Sequence, residues 1–298
     1  MKPPPFAYFA PSSLAEALGT LAGYGSDAKV LAGGQSLVPL LNFRLARPAA
    51  LVDLNPVPGL DGIARDPVTG ELALGAMVRQ SDAERSPLVR GACPQLVAAL
   101  KHVGHRAIRN RGTVGGSLAH ADPAAELPLV LVLLDGRVRV AGARGERWIS
   151  AGDLFVSYLT TALRPDEILV EARFSTPGDG RAAWGFEEFS RRAGDFALAA
   201  AGAVVRTNGG GAILDASIAV AGGGPTPARA PDAERALVGQ RPSDRLIGHA
   251  ARLSLSACDV DGDIYGSAEY RRALIEVVVE RALRRACGSA ASGARPDA

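Results

Sequence analysis

Two glycine pairs, far apart in the chain, carry its clearest chemical signal. Lys29-Val30-Leu31-Ala32-Gly33-Gly34-Gln35-Ser36-Leu37 runs from a short apolar strand pattern through a glycine turn into a helical one. Glycines at such a junction let the backbone turn tightly and bring successive N–H groups, with the positive end of a helix, against an anion. A phosphate fits there, although a plain strand–helix turn has the same pattern and one Gly-Gly pair does not separate the two. The second loop, Ile108-Arg109-Asn110-Arg111-Gly112-Thr113-Val114-Gly115-Gly116-Ser117, offers another glycine pair with a hydroxyl, Thr113 or Ser117, on each side. Two such loops in separate subdomains could clamp both halves of a pyrophosphate. Neither ends in Gly-Lys-Ser/Thr and neither reads Gly-x-Gly-x-x-Gly, so a dinucleotide held here requires a different fold from the familiar nucleotide-binding ones.

Close behind the second loop comes His120-Ala121-Asp122-Pro123-Ala124-Ala125-Glu126. A carboxylate beside a phosphate cradle repels it, so Asp122 and Glu126 are better suited to accept hydrogen bonds from ribose or adenine donors. The alternative is that Asp122 caps a helix opened by Pro123 at its first position. Other chemistry is poorly supported. The three cysteines, Cys93, Cys258 and Cys287, have no spacing that would hold zinc or an iron–sulfur cluster. His102 and His105 have no third ligand nearby, and no nucleophile–base pair of the hydrolase kind stands out. No metal site and no catalytic residue is therefore assigned to this chain, and redox metals would belong to other chains.

The elements that position these residues divide the chain into three units. A Ser cap at Ser12 or Ser13, with Glu16 placed for a capping box, opens a helix running to Tyr24. Strand patterns at 28–32 and 50–54 flank the first glycine pair, and the turn formers 55–59 close a unit over residues 1–58. Strand candidates at 71–74 and 137–140 alternate with helical stretches at 81–85 and 93–102 in a second unit, 59–177. Its end is the turn-rich Ser175-Thr176-Pro177-Gly178-Asp179-Gly180. In the third unit, 178–290, strands at 198–206 and 212–221 flank Asn208-Gly209-Gly210-Gly211 as a hairpin, and 268–285 reads as an amphipathic helix. Residues after Cys287 are small and polar, with 291–298 expected as a frayed tail.

Bulk properties narrow the function further. The chain has 298 residues, 47% of them hydrophobic, enough for more than one core. With 33 Lys plus Arg against 31 Asp plus Glu, a net charge of +2 gives no general attraction to nucleic acid or to an anionic membrane. The apolar run 127–134 is far short of the roughly 20 residues a membrane-spanning helix needs. Nothing secretory is read in Met1-Lys2-Pro3-Pro4-Pro5, so a cytoplasmic location is the default expectation.

Taken together, these segments resemble the medium, FAD-binding subunits of molybdenum hydroxylases, the group of carbon monoxide dehydrogenase and xanthine dehydrogenase. The stretch 32–37 and the stretch 108–116 are similar to that family's two FAD pyrophosphate loops. Ala121-Asp122-Pro123 with Glu126 is similar to its ribose and adenine-side segment. Arg191-Arg192-Ala193-Gly194-Asp195-Phe196-Ala197 resembles the segment approaching the isoalloxazine ring, and Leu169 an apolar residue lining the flavin site. Gly224-Pro225-Thr226-Pro227-Ala228-Arg229 and 266–272 resemble signatures of its C-terminal domain. Ser117 stands where relatives often have Asn, Glu126 where many have Asp, and Phe196 where some have a Tyr lying against the flavin.

The resemblance implies an α+β architecture: a vanillyl-alcohol-oxidase-like (PCMH-type) FAD-binding domain of two subdomains, then a C-terminal α+β domain of the CO dehydrogenase flavoprotein type. It implies non-covalent FAD held by 29–37 together with Arg109, Thr113, Val114, Gly115, Gly116, Ser117, His120, Asp122, Glu126, Leu169, Arg192, Asp195 and Phe196. It implies a large molybdenum-cofactor partner, a small partner with [2Fe-2S] clusters, an external electron acceptor, and a dimer of such three-subunit units. A stand-alone flavin oxidase and a flavin-free scaffold subunit are the rival expectations.

Overall fold

The computed structural model describes residues 2–176 and 182–292. The N-terminal unit is a three-stranded parallel sheet with a helix on each crossover. Its elements are β1 (Ala7–Phe9), α1 (Leu14–Tyr24), β2 (Ala28–Leu31), α2 (Leu37–Asn42) and β3 (Ala50–Asp53), in sheet order β1-β3-β2. Ser13 Oγ accepts the Glu16 N–H at 3.2 Å, while the Glu16 carboxylate takes the N–H and hydroxyl of Ser12, one residue earlier than in a standard capping box. The central strand β3 is buried throughout, and Ala17, Leu21, Val52 and Leu54 join in a small core beneath it.

The middle unit follows as β4 (Ile63–Arg65), β5 (Leu72–Gly75), α3 (Gln80–Arg85), α4 (Pro87–Ala92), α5 (Pro94–Leu100), α6 (Arg106–Arg109), α7 (Val114–His120) and α8 (Glu126–Leu133). It continues through β6 (Arg137–Gly142), β7 (Gly145–Ser150), α9 (Ala151–Leu154), β8 (Phe155–Ser157), β9 (Thr160–Thr161) and β10 (Glu167–Phe174). The five-stranded sheet has the order β4-β5-β10-β6-β7, with every pairing antiparallel. Its central strand, β10, is the last in sequence and was not among the expected strands. All eight residues of α8 are buried, because it is covered on all sides rather than amphipathic.

The last unit has β11 (Ala182–Ser190), β12 (Ala197–Thr207), β13 (Ile213–Ala221), β14 (Ala228–Arg229), α10 (Pro231–Leu237), α11 (Asp244–Leu253) and α12 (Ala268–Ser292), with an antiparallel sheet in the order β11-β12-β13-β14. The expected hairpin is β12 and β13. Alternate residues of β12 point to opposite faces. Ala199, Ala201, Ala203 and Val205 pack into the core with α12, whereas Ala200 joins the core that contains α8, and a Cβ on Gly202 would meet Leu133 Cδ2 at 2.6 Å. The small residues of β12 thus let two helical layers approach one strand from both sides. The main core, which holds Leu127, Leu131 and Phe174, also takes in Trp184 and Phe186, so the middle and last units share apolar contacts.

One expectation changes. The helix α12 runs on to Ser292, so the chain does not fray at Cys287. The turn-rich segment at 175–180 and the tail at 291–298 lie partly outside the described residues, which end at Thr176 before the first gap and at Ser292 after it. Among the described residues no helix is long and apolar enough to cross a membrane.

Candidate cofactor site

The first glycine loop leaves β2 at Leu31 and enters α2 at Leu37, as the residue types require. Gly34 sits at φ +74°, a left-handed conformation that only glycine adopts without strain. No protein acceptor takes the backbone N–H of residues 33–37 among the described residues, whereas Val38 N–H already bonds Gly34 O at 3.0 Å. Backbone donors without a protein acceptor at a glycine turn are what an anionic oxygen needs. Lys29 is exposed on β2, Val30 packs into the small N-terminal core, and Gln35 and Ser36 line the turn.

The second loop is differently occupied. Thr113 Oγ accepts the Gly116 N–H at 3.0 Å and so caps α7. The Val114 and Gly115 N–H groups bond the carbonyls of Val78 and Ala76, at 3.0 and 2.9 Å, and Ser117 N–H bonds Thr113 O at 3.1 Å. The donors that the glycine pair suggested are therefore used inside the protein. The absent Cβ of Gly115 leaves room for Ala76, which would stand 2.5 Å from it, so this glycine serves helix–strand contact rather than clearance for a ligand.

The two loops lie directly against each other. A Cβ on Gly33 would come within 2.8 Å of Gly112 Cα and closer still to the Arg111 carbonyl, and a Cβ on Gly116 would meet the methyl of Ala32 at 3.4 Å. Between them stand Asn55 and Arg79, whose sequence signals were only a turn former and a charged residue ahead of a helix. Arg111 is exposed and, like Arg79, has no carboxylate within ion-pair distance among the described residues. The residues fit a pyrophosphate: the first loop presents free donors, the second forms the wall behind them, and two arginines with no carboxylate at ion-pair distance among the described residues stand beside both.

Arg109 has protein partners of its own. Its Nε bonds Glu84 at 2.8 Å and a terminal nitrogen bonds the Val103 carbonyl at 3.0 Å, so its charge braces α6 against α3. Asp122 does not cap a helix opened by Pro123. Its Oδ1 accepts the Ala124 N–H at 2.9 Å across a turn, and α8 begins only at Glu126, with Ala125 as its cap. Glu126, the first residue of α8, carries a carboxyl in a residue only 8% exposed. Burial pushes it up to about 7. Glu188 on β11, likewise buried, is pushed up to about 8 by burial and then by Glu126. Burial also lowers His120, against the pull of Asp122.

A cavity of about 560 Å³ opens between the middle and last units, lined by Pro123, Ala124, Tyr158, Asp195 and Phe196 among others. The segment following Asp122 and the segment around Phe196, expected at the adenine and ring sides, thus face one space. Phe196 is 72% exposed. Asp195 pairs with Arg191 at 3.6 Å, and the Arg191 guanidinium lies 4.0 Å from the Tyr265 ring centroid. Arg192 is exposed, and Leu169 is buried on β10 opposite Val140. Among the described residues no group of three or more His, Cys, Asp or Glu is placed to hold a metal.

Residues 4–175 match the family described as FAD binding domain in molybdopterin dehydrogenase, and residues 184–286 match the CO dehydrogenase flavoprotein C-terminal domain. The chain belongs to the family of FAD-binding medium subunits of molybdenum hydroxylases. It is 44% identical over 286 residues to the 6-hydroxypseudooxynicotine dehydrogenase complex subunit alpha of Paenarthrobacter nicotinovorans, covering 96% of each chain. It is 34% identical to the carbon monoxide dehydrogenase medium chain of Hydrogenophaga pseudoflava, covering 96% of this chain and 98% of that one. Among solved structures it resembles quinoline 2-oxidoreductase from Pseudomonas putida 86, with a TM-score of 0.92, 38% identity, and coverage of 97% of this chain and 99% of that one. The chain is thus an oxidoreductase subunit with an FAD-binding domain, and its α+β fold is that of these medium chains.

Proposed function

We propose that this chain is the electron-transfer subunit of a molybdenum hydroxylase complex. It holds FAD non-covalently, receives electrons from a small [2Fe-2S] subunit and delivers them to an external acceptor, while a large subunit with the molybdenum cofactor oxidises the substrate. The observation that carries this reading is the run of unclaimed N–H groups at 33–37, set against the second loop. FAD bound there supplies the redox chemistry; the protein supplies position and electrostatics. The first loop would hold the pyrophosphate, with Thr113, Gly116 and Ser117 behind it. Asp122 would accept a hydrogen bond from a ribose or adenine donor, and Phe196 would cover the ring. Arg192, exposed nearby, would favour an anionic reduced ring.

The relatives' names include complex subunits and medium chains, which supports separate large and small partners. A dimer of three-subunit units and a cytoplasmic location complete the proposal. The sequence division at 1–58, 59–177 and 178–290 is proposed as the domain organisation, supported by one sheet of three or more strands in each part, the middle part also holding the two-stranded β8-β9 ladder.

The test is the absorption spectrum of the purified chain before and after acid precipitation, with the released chromophore identified by mass. Flavin bands that leave with FAD, and co-purification with a molybdenum subunit and an iron–sulfur subunit, are the expected result. A colourless chain that FAD cannot reconstitute beside its partners overturns it. Direct bleaching of the lone flavoprotein by alcohols or aldehydes would instead favour a stand-alone oxidase.

A further inference from the structure

A line of polar side chains runs behind the two glycine loops and touches both. Tyr8 on β1 donates its hydroxyl to Asp53 at the end of β3. Asp53, 8% exposed, also accepts the backbone and side-chain N–H groups of Asn55. Asn55 in turn donates through Nδ2 to the Ala32 carbonyl of the first loop at 3.0 Å, and its Oδ1 accepts from Arg79. The other terminal nitrogen of Arg79 donates to the Arg111 carbonyl of the second loop at 2.6 Å.

One carbonyl of each loop is therefore tied to a single pair of side chains. The tie has a consequence for donor direction. In a trans peptide the C=O and the following N–H point opposite ways. Fixing the Ala32 carbonyl on Asn55 aims the Gly33 N–H away from it, and that N–H is among those without a protein acceptor. Arg79 is half-buried next to Arg111, and burial followed by the Arg111 charge lowers its basicity. A cation kept there without a carboxylate partner has another task, and its two-pronged hydrogen bonding describes that task.

We propose that Arg79 and Asn55 are positioning residues that staple the two glycine loops together, setting the gap and the donor direction on which FAD affinity depends. A planar guanidinium can bridge two acceptors in fixed geometry, and an ammonium cannot reproduce that fork. The proposal rests on the FAD reading given above for its affinity arm, and on the protein alone for its second arm.

The experiment compares the full-length wild type with Arg79→Ala, Arg79→Lys, Asn55→Ala and the double alanine variant, each stripped of flavin. FAD affinity is read by flavin fluorescence titration, and amide hydrogen exchange is read without flavin. Each single alanine change is expected to weaken FAD binding about tenfold to a hundredfold, as for a lost hydrogen bond involving a charged group. The double variant should be no weaker than the worse single one, because both residues serve one connection. Arg79→Lys should fall with Arg79→Ala. Exchange should quicken both at the bonded amides that close the first loop, Val38 and Leu40, and over 111–116 in the second, while the exchange of α12 is unchanged.

Unchanged affinity in Arg79→Ala, full affinity in Arg79→Lys, multiplying effects in the double variant, or faster exchange in one loop alone overturns the staple. A wild type that takes no FAD overturns the flavin reading instead, and the exchange arm still decides whether Arg79 joins the loops.

Discussion

The α-hydrogens of Gly33 face the backbone of Arg111 across the junction of the two loops, with Gly112 Cα 2.8 Å from where a side chain would begin. Gly33→Ala therefore has to push the loops apart. Overpacking of this kind costs about 1–3 kcal/mol, and the separated loops should lose FAD. A flavin-free melting curve and an FAD titration of the same variant check both halves; wild-type values in both would show that the loops yield without cost.

Gly115→Ala tests a different contact. Its added methyl would meet Ala76 at 2.5 Å, between α7 and the end of β5. Here the expected effect is a lowered melting point with FAD affinity per folded molecule nearly unchanged. A variant that melts like the wild type but binds FAD poorly would instead return Gly115 to the phosphate cradle.

Glu188 and Glu126 make stability fall with rising pH. Both carboxyls have folded values, about 8 and about 7, above those of an unfolded chain. Such groups leave stability intact below the unfolded value, roughly 4.3, and reduce it as pH rises through the folded value. Each can contribute a slope of up to about 1.4 kcal/mol per pH unit. Glu188 faces His102 at 3.8 Å, with Glu126, Lys101 and Arg285 nearby. Glu188→Gln should flatten the fall in melting temperature between about pH 5 and 8. An unaltered slope would show that Glu188 is already ionised at neutral pH.

Arg147 clamps the opposite kind of acid. It donates twice to Glu167, each bond at 2.8 Å, and once to the Ala162 carbonyl at 2.9 Å. Those hydrogen bonds come first among the causes that hold Glu167 below the ordinary carboxylate range. Stability from this pair is present above the unfolded value and is lost as pH falls through the lowered folded one. Arg147→Ala should cost about 1–3 kcal/mol at neutral pH, with the difference from wild type shrinking below about pH 4. Denaturant titrations at pH 7 and pH 3.5 decide it; a pH-independent difference would assign the loss to packing alone.

Phe196 supports little of the fold. At 72% exposure, its replacement by Ala should change stability by no more than about 0.5 kcal/mol. If it covers the flavin, the same change should brighten flavin fluorescence and shift the visible bands. An unchanged spectrum would place the ring elsewhere.

Much of this arrangement was legible in the residues. Strand, glycine pair and helix at 28–42, the hairpin around 208–211 and the long last helix all carry local signals, either turn chemistry or a clear period. β10 was not legible. Its buried run pairs with strands that come earlier in the chain, and long-range pairing leaves no local mark. The roles of the second loop were hidden for a related reason. A glycine freeing space for a ligand and one freeing space for Ala76 look alike until the neighbour is known. The surroundings of Arg109 and Glu126 were hidden as well, because their neighbours, Glu84 in the one case and Glu188 in the other, come from distant segments. Arg79 and Asn55 gave no motif at all, since their connection joins residues from four separate stretches.

The small residues of β12 admit α8 on one face and α12 on the other, and this has a practical outcome for anyone dividing the chain. A fragment ending before β11 would leave the Leu-rich flank of α8 uncovered in water, including Leu133, which lies against Gly202. Such a fragment should be sticky, self-associating and hard to keep in solution, even with both glycine loops intact. The flavin-binding half of this protein is thus an expression unit only in company with the sheet that follows it.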